Sequence, residues 1–366
     1  MKILFLLGSL EENKNGVADY VLNLTECLTK MGHEIAIISI NDHKYITLKN
    51  EGIKYVSNSK IRLSSNLPIN KKVSIINDFV FNFKPHWVSL QFVSFAFQKK
   101  GLPFSLIKIL SGIKDYPLHI MFHELWIDFN VTKNLKHNIL GRLQKICLEL
   151  IIKKLNPQLI TSSIPFYVSK FKAFKAELLP LFGNIKPINF TNSTQPKKEL
   201  NVVFFGSFSP NITDFIAQLI WLKNYAKVHK LDVKFNVIGN NGVHKEDAFL
   251  QIKNILGRYA LNYIGEKKAE QISELFFNAD LGVSRADYNY FGKSGSTLAM
   301  LEHGLPVLLR GNEPQMFFNE DILSNYNNQI FFTSFSVNNL PQKQKSKSAQ
   351  VIVAEKLISI YKEKSA

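Results

Sequence analysis

Several features that define other protein classes are scarce in this sequence. Its 366 residues include two cysteines, Cys27 and Cys147, far apart in apolar surroundings. This argues against a disulfide framework or a zinc ribbon, and it favours a reducing compartment such as the cytoplasm. No run of 18 apolar residues occurs, so no membrane-spanning helix is predicted. The apolar start, residues 1–8, is too short for a signal peptide and indicates a buried first strand.

Motifs of several nucleotide and metal sites are also missing. The sequence has no Walker-type Gly-x-x-x-x-Gly-Lys-Ser/Thr loop and no Asp-x-Asp pair. The loop after the first strand, residues 8–13, lacks the Gly-x-Gly-x-x-Gly of nicotinamide-binding domains. Asp42 is only a weak counterpart of the acid that binds ribose in those domains. ATPase and dehydrogenase sites of these kinds are therefore not expected.

What the chain does contain is typical of a globular protein with two domains. It is 46% hydrophobic and 20% charged, and its length is that of two domains with a core each. The net charge is +16, and it is uneven along the chain. Residues 1–190 hold 25 Lys and Arg against 13 Asp and Glu, whereas residues 191–366 hold 20 against 16.

Much of this basic excess lies in residues 133–154, where apolar residues recur every three or four positions. The pattern predicts an amphipathic helix with one solvated basic face. Such a helix can make peripheral contact with an anionic membrane, as on the inner face of a cell membrane, or it can simply be a solvated surface. Nucleic acid binding is not expected, because the lysines are dispersed and no recognition motif is present.

Two segments follow a strand–helix–strand order, which implies parallel sheets. The first comprises residues 2–7, 17–31 and 34–40, and the second comprises 201–206, 212–230 and 232–238. A proline-containing polar stretch within residues 189–200 is the best linker candidate. We therefore predict two doubly wound α/β domains, with the ligand site at the carboxyl ends of their strands.

The most informative segment is 280–309, where a strand leads through a polar loop into a helix. A helix N-terminus favours an anion, and nearby hydroxyls and cations strengthen that preference. Simple N-capping would explain a single serine there, but not the whole cluster. We predict a diphosphate site formed by Lys293, Ser294, Gly295, Ser296, Thr297 and Arg285.

The ordered set of motifs resembles the GT-B-fold nucleotide-sugar glycosyltransferases, especially the family 4-like group. The similar segments are 32–35 (Gly-His-Glu-Ile), the His-containing strand end at 120–126, and residues 179–185, 204–206, 237–239, 263–265, 279–281 and 303–307. Two departures stand out. The pair of glutamates typical of that group would fall at Phe291 and Ala299, and the basic residues that often follow the first strand of the second domain are absent.

The resemblance implies a GT-B fold, with two Rossmann-like domains facing a central cleft and a C-terminal helix that crosses back. The domains would be an acceptor-side domain at 1–188, a linker at 189–200, a nucleotide-sugar domain at 201–345 and the helix at 346–366. It implies metal-independent transfer of a sugar from a UDP or GDP donor to a saccharide or lipid-linked acceptor, in surface polysaccharide synthesis. Retention of configuration is slightly favoured, and no cofactor is required.

The resemblance also assigns residue roles. Gly206 and Ser207 would join the diphosphate site, and Gly239, Gly265 and Glu266 would lie on the nucleotide side. In the first domain, Gly16 would be the glycine-loop residue and His123 would contact the donor sugar or acceptor. Glu124 would orient His123 or act as a base, and Asp19 would be a base if the enzyme inverts.

Two other functions stay open at this stage. A catalytically weakened GT-B module that binds nucleotide or sugar for a partner or membrane would account for the missing glutamate pair. A nucleotide-sugar epimerase of the same fold is the third hypothesis. Transfer to an acceptor separates the first function from the second, and conversion of free nucleotide sugar without an acceptor indicates the third.

Overall fold

The structure, a computed structural model, describes residues 1–11, 16–43, 52–57, 59–127, 135–188, 198–316 and 322–365. The chain forms two compact units, one of Met1–Leu179 with Val351–Ala366 and the other of Pro180–Gln350. Of the predicted linker, residues 189–197 lie outside the described ranges.

The first unit is built on an eight-stranded sheet, counted over its described residues, in the order β3-β4-β2-β1-β5-β6-β7-β8. All neighbours are parallel except β3 and β4, which pair antiparallel. Its elements are β1 (Lys2–Leu7), α1 (Gly16–Lys30), β2 (Glu34–Asp42), β3 (Ile53–Ser57), β4 (Lys60–Ser64), α2 (Ile69–Phe83), β5 (Trp87–Phe92), α3 (Ser94–Phe97), α4 (Ser105–Ile109), β6 (Leu118–Phe122), α5 (Leu135–Leu155), β7 (Leu159–Ser162), α6 (Pro165–Lys170) and β8 (Glu177–Leu178).

The second unit contains a six-stranded parallel sheet, again within the described ranges, in the order β11-β10-β9-β12-β13-β14. Phe204, Phe208, Phe215 and Phe235 pack in its core between the sheet and the first helix. Its elements are β9 (Glu199–Phe205), α7 (Thr213–His229), β10 (Asp232–Ile238), α8 (Lys245–Leu256), β11 (Leu261–Gly265), α9 (Ala269–Asn278), β12 (Leu281–Val283), α10 (Gly295–Glu302), β13 (Val307–Leu308) and β14 (Ile330–Phe331).

The last helix, α11 (Gln350–Ser365), returns to the first unit, as expected from the sequence. Its Tyr361 ring stacks on Trp87 with centroids 4.3 Å apart and planes within 5°. The Trp87 indole N–H donates to Ser365 Oγ at 3.1 Å, and Lys364 pairs with Glu177 at 2.9 Å. The first unit therefore completes its core with the final segment of the chain.

The central strands are apolar because both faces of a parallel sheet are covered. Every residue of β5 and β6 is buried, and β1 is buried from Ile3 to Leu7. The two predicted strand–helix–strand units are confirmed, with helix and strand ends displaced by one or two residues. Both cysteines are buried thiols. Among the described helices, none is both long and apolar enough to cross a membrane.

One prediction about the helix at 133–154 is wrong in part. The helix forms as α5, and Cys147, Leu148, Ile151 and Ile152 are buried. Four other apolar residues do not join that face, because Ile139, Leu143, Ile146 and Leu150 are exposed. The periodicity is therefore shared between one buried and one exposed stripe.

Candidate functional site

The loop after β9 approaches the N-terminus of α10 closely in the second unit. Gly206 has φ +131°, and a Cβ there would lie 3.3 Å from Ser296 Oγ. Its conformation and the limited space both favour glycine. The structure therefore brings together two parts of the predicted diphosphate site that are 90 residues apart in sequence.

The hydroxyls at the start of α10 form a directed network. Ser294 is the N-cap: its Oγ accepts from the Thr297 N–H at 3.3 Å and from the Thr297 hydroxyl at 2.8 Å. The Thr297 hydroxyl also bonds Ser284 Oγ at 2.7 Å, and that oxygen accepts the Ala286 N–H at 3.0 Å. Ser294 Oγ also lies 3.2 Å from Ser296 Oγ, and either hydroxyl can donate in that hydrogen bond. Thr297 is therefore a buried member of the cap.

Several groups at the start of α10 have the chemistry to contact an anion. The amides of Gly295 and Ser296 lie in the first turn and have no acceptor within the helix. The Ser296 hydroxyl is half-buried and lies 3.2 Å from Ser294 Oγ. The Lys293 ammonium lies 5.5 Å from the Tyr290 ring centroid. These groups combine N–H, O–H and positive charge, the combination that phosphate oxygens favour.

Arg285, the residue two positions after β12, lines a small cavity in the second unit. The cavity is lined by Arg310, Phe204, Phe208, Ser209, Asn211, Ile212, Phe215 and Gln218 together with Arg285. Arg310 pairs with Asp287 at 3.0 Å and with Asp214 at 3.6 Å, whereas Arg285 is exposed. Two guanidinium groups thus follow β12 and β13.

The loops after β9, β10 and β11 are tied to one another at the same edge. The Gly239 N–H donates to the Gly265 carbonyl at 2.8 Å. Asn241 Nδ2 donates to the carbonyls of Gly206 at 2.8 Å and Ile238 at 2.9 Å. These bonds hold the predicted nucleotide-side glycines next to the predicted diphosphate loop. Ser207 and Glu266 are exposed on these loops.

Phe291 and Ala299, the positions of the family 4 glutamates, are core residues here. Both are completely buried. A Cβ at Gly183 would lie 2.6 Å from Ala299 Cα, so the segment after Pro180 packs directly on α10. A carboxylate placed at either position would lose its contact with solvent, which is unfavourable unless the charge is paired.

His123, at the end of β6, is fixed by a chain of buried hydrogen bonds in the first unit. His123 Nε2 lies 2.8 Å from Gln91 Oε1, and Gln91 Nε2 donates to Ser89 Oγ at 2.8 Å. With the amide oriented this way, Nε2–H of His123 is the donor and Nδ1 keeps its lone pair. Ser89 Oγ lies 3.0 Å from His119 Nδ1, which is 2.8 Å from the Tyr361 hydroxyl.

Burial keeps both histidines of this chain neutral. Desolvation lowers the pKa of His123 to about 3 and that of His119 to about 3, the latter with a further contribution from His123. His119 Nε2 also contacts Thr161 Oγ1 at 2.8 Å. At neutral pH, His123 can therefore accept or donate a hydrogen bond but carries no charge.

The other predicted residues of the first unit surround His123 loosely. Tyr20 packs edge-on against the His123 ring with centroids 5.2 Å apart, which places α1 beside it. Asp19 precedes Tyr20 in the first turn of that helix, and Gly16 begins the helix with no atom near its Cβ position. Glu124 follows His123 and is exposed.

Asp42 has a structural role. It is completely buried and accepts from Arg62 through two bonds of 2.9 Å, from the Ser9 hydroxyl at 2.6 Å and from Ser39. Burial alone would raise the pKa of this carboxyl, but the bonds from Arg62 and the two serines lower it below its ordinary value. Asp42 thus fastens the loop after β1 to β2 and β4.

Sequence reasoning did not identify Gln91, Asn241 or Arg310 as part of these edges. A signal existed for Gln91, which is the polar residue nearest the end of an otherwise apolar strand pattern. Asn241 and Arg310 follow strands directly, but nothing in their local sequence indicates which loop they contact. Among the described residues, no group of three or more His, Cys, Asp or Glu side chains is placed to hold a metal ion.

No protein-family model and no curated protein sequence matches this chain. Solved structures do match it in fold. A glycosyltransferase from Rickettsia africae ESF-5 gives a TM-score of 0.60 at 14% identity, over 99% of this chain and 98% of that one. A UDP-GlcNAc 2-epimerase from Methanocaldococcus jannaschii gives 0.56 at 8% identity, over 99% and 100%.

A third similar structure is Anabaena HepE in complex with UDP and glucose, with a TM-score of 0.54 at 14% identity, over 100% of this chain and 92% of that one. Transferase and epimerase are both represented among these structures. With its two Rossmann-like units on parallel sheets, the chain has the GT-B fold.

Proposed function

We propose that this protein is a glycosyltransferase that moves a sugar from a nucleotide-diphosphate donor to a saccharide or lipid-linked acceptor, in surface polysaccharide synthesis. The observation that carries the proposal is the approach of Gly206 to Ser296 at the edge of the second sheet. It supports a diphosphate site between a strand-end loop and a helix N-terminus. The UDP bound by the similar Anabaena structure supports a UDP donor.

The leaving diphosphate would be neutralised by groups at the start of α10. We assign the amides of Gly295 and Ser296, the Ser296 hydroxyl and the Lys293 ammonium to it. Donors that are already in place where charge develops stabilise the transition state without reorganisation. The loops carrying Gly239 and Gly265 would hold the nucleoside.

In the first unit, we assign His123 to the donor sugar or acceptor. A neutral imidazole with its Nδ1 lone pair available can accept a hydrogen bond from a sugar hydroxyl. We favour retention of configuration, in which the donor phosphate assists the incoming hydroxyl and no carboxylate base is required. Under inversion, Asp19 or Glu124 would supply the base.

Two observations favour other functions. The epimerase of similar fold supports conversion of a free nucleotide sugar. The burial of Phe291 and Ala299 supports a binding module of weakened activity, since no carboxylate stands at either position. Incubation of nucleotide sugar without acceptor tests the first alternative, because an epimerase converts the sugar and a transferase does not.

The nucleotide is identified by a thermal-shift screen of the purified protein against UDP, GDP, ADP, CDP and dTDP, with and without chelator. A ligand at 100 times its dissociation constant stabilises the native state by about 2.7 kcal/mol. We expect one diphosphate to raise the unfolding temperature, without sensitivity to chelator. No response to any nucleotide would contradict the proposed donor site.

Lys293→Ala should weaken binding of that diphosphate by about tenfold or more, because a charge-assisted contact is lost. Calorimetric titration measures the dissociation constant. Lys227→Ala, which removes an exposed lysine of α7, is the matched control and should bind as the wild type does. Equal affinity of the Lys293 variant and the control would rule out the assigned contact.

His123→Ala should lower turnover far more than nucleotide affinity, because we place His123 at the sugar rather than at the nucleotide. Turnover is measured as release of nucleoside diphosphate in the presence of acceptor, and affinity by titration. Gln91→Leu should produce a smaller loss of the same kind, since it leaves the imidazole in place without its hydrogen bond. An equal loss of turnover and affinity would assign His123 to structure alone.

A further inference from the structure

Helix α5 has an exposed apolar stripe that the fold does not use. Ile139 is 52% exposed, Leu143 47%, Ile146 51% and Leu150 40%. Their spacing of four, three and four residues places them within roughly 60° of one another around the helix. The residues that hold α5 to its unit, among them Gln144, Cys147, Leu148 and Ile151, lie on another face. The stripe is therefore an outward ridge, which we call the α5 ridge.

Cations border the α5 ridge on both sides. The helix carries Lys136, Arg142, Lys145, Lys153 and Lys154 against a single carboxylate, Glu149. Helical geometry places four of the five cations within roughly 60° of the ridge, two on either side.

An apolar stripe between two rows of cations is the pattern of a helix that lies on an anionic lipid bilayer. In an interfacial helix, apolar side chains enter the boundary between headgroups and acyl chains, while Lys and Arg lie among the phosphates. A second copy of this chain fits less well, because a two-fold contact would set the same basic helix against itself. A protein partner would need acidic rims around an apolar groove.

We propose that the α5 ridge docks the first unit on an anionic lipid bilayer. Ile139, Leu143, Ile146 and Leu150 insert at the level of the upper acyl chains, and the flanking Lys and Arg side chains contact lipid phosphates. The proposal goes beyond the proposed enzymatic function and does not depend on it, since it concerns a surface of the first unit and its test reads lipid binding alone.

The test is co-sedimentation of the full chain with sucrose-loaded vesicles. One set contains phosphatidylcholine only, and the other contains equal parts of phosphatidylcholine and phosphatidylglycerol. The wild type should bind the anionic vesicles, and added salt should weaken that binding because it screens the cations. Free inorganic phosphate at matched concentration should not compete, which distinguishes a bilayer from a soluble phosphate ligand.

Two paired variants separate the apolar and ionic contributions. Ile139→Ser with Ile146→Ser should lower partitioning by about tenfold or more, as expected from the lost apolar area. Its control is Ile220→Ser with Leu250→Ser, which removes two apolar side chains of similar exposure, 47% and 55%, from α7 and α8. Arg142→Gln with Lys153→Gln should weaken binding by about tenfold. Lys223→Gln with Lys227→Gln, two exposed lysines of α7, is its control.

The controls should bind as the wild type does, and nucleotide titration and thermal unfolding should be unchanged in all four variants. Absence of wild-type binding to anionic vesicles would overturn the proposal, as would equal binding to neutral ones. Wild-type partitioning of the Ile139 and Ile146 variant would do so too. If light scattering instead finds a wild-type dimer that this variant abolishes, the α5 ridge is an interface between copies.

Discussion

At Gly206, the backbone conformation and the available space both disfavour any residue with a side chain. An alanine there would adopt an unfavourable φ of +131° and place its Cβ against Ser296. The Ser296 hydroxyl is one of the groups that we assign to the leaving diphosphate. The glycine therefore sets how closely the β9 loop approaches the first turn of α10, and with it the width of the proposed diphosphate site.

Gly206→Ala should cost about 1–3 kcal/mol of stability through backbone strain and also weaken diphosphate binding by about tenfold or more. Gly257→Ala is the matched control. Gly257 has φ +109° with no atom near its Cβ position, in the turn between α8 and β11. It should lose comparable stability without losing affinity. Urea unfolding and calorimetric titration measure the two effects, and equal affinity losses in both variants would mean that strain alone is responsible.

Residue types at strand ends were predictable from the sequence, but their partners were not. The predictions of a histidine after β6 and a Ser-Gly-Ser-Thr turn before α10 rest on local patterns. The Gln91 contact to His123 joins residues 32 apart, and the Gly206 approach to Ser296 joins residues 90 apart. Such contacts depend on which strands are neighbours, and a single sequence does not contain that information.

The serines and the threonine in the first turn of α10, all predicted from the sequence to bind diphosphate, have different roles in the structure. Ser294 uses its oxygen to cap the helix, and Thr297 is buried beneath that cap. Ser296 is half-buried in the same turn, beside Gly206. One serine thus belongs to the helix, and the other faces the proposed ligand.

Ser294→Ala should destabilise the protein by about 1 kcal/mol, the usual cost of losing an N-cap. Ser296→Ala should leave stability within about 0.5 kcal/mol of the wild type, as for surface substitutions, and reduce diphosphate affinity about fivefold, the equivalent of one hydrogen bond. Thermal unfolding and titration of both variants make the comparison. A stability loss at Ser296 with no change in affinity would reverse the two assignments.

At the scale of a single element, helix α5 shows that apolar periodicity predicts a helix but does not predict which of its faces is buried. The spacing of its apolar residues predicted the helix correctly, but it predicted one apolar face where there are two. Apolar residues at intervals of three and four fit both stripes, since adjacent faces of a helix have the same period. Deciding which stripe packs inward requires the neighbouring elements, and a sequence window does not include them.

At the scale of the whole molecule, the chain passes between its two units twice, at residues 179–180 and 350–351. Glu302 accepts hydrogen bonds from second-unit residues near both of these boundaries. Its Oε1 accepts the Gly183 N–H at 2.6 Å, and its main-chain carbonyl accepts the Lys347 N–H at 2.8 Å. Burial raises the pKa of Glu302 to about 7, although the amides of Gly183 and Ala349 and the Ser348 hydroxyl act to lower it.

This raised pKa predicts the sign of a pH effect. The folded state holds the Glu302 proton more tightly than the unfolded state, whose carboxyl has its ordinary pKa of 4.5. The contribution to stability is therefore full below about pH 4.5 and is lost as the pH rises to about 7. Glu302→Gln should remove this pH dependence, because an amide does not titrate. The unfolding free energy of the variant minus that of the wild type should therefore change by about 3 kcal/mol across that range.

Denaturant unfolding of both proteins between pH 5 and pH 8 checks the prediction. Glu270→Gln, at an exposed glutamate in the first turn of α9, is the control and should unfold in parallel with the wild type at every pH. Parallel curves for the Glu302 variant would mean that its carboxyl is ionised throughout.

The membership of α11 in the first unit has a consequence for synthesis on the ribosome. Trp87 and His119 are made early, but Tyr361, which covers one and bonds the other, follows only after the whole of Pro180–Gln350. At about 5–20 residues per second, that interval lasts roughly 10–35 s. During translation, the part of the first unit's core that Tyr361 covers therefore stays uncovered until α11 has been made.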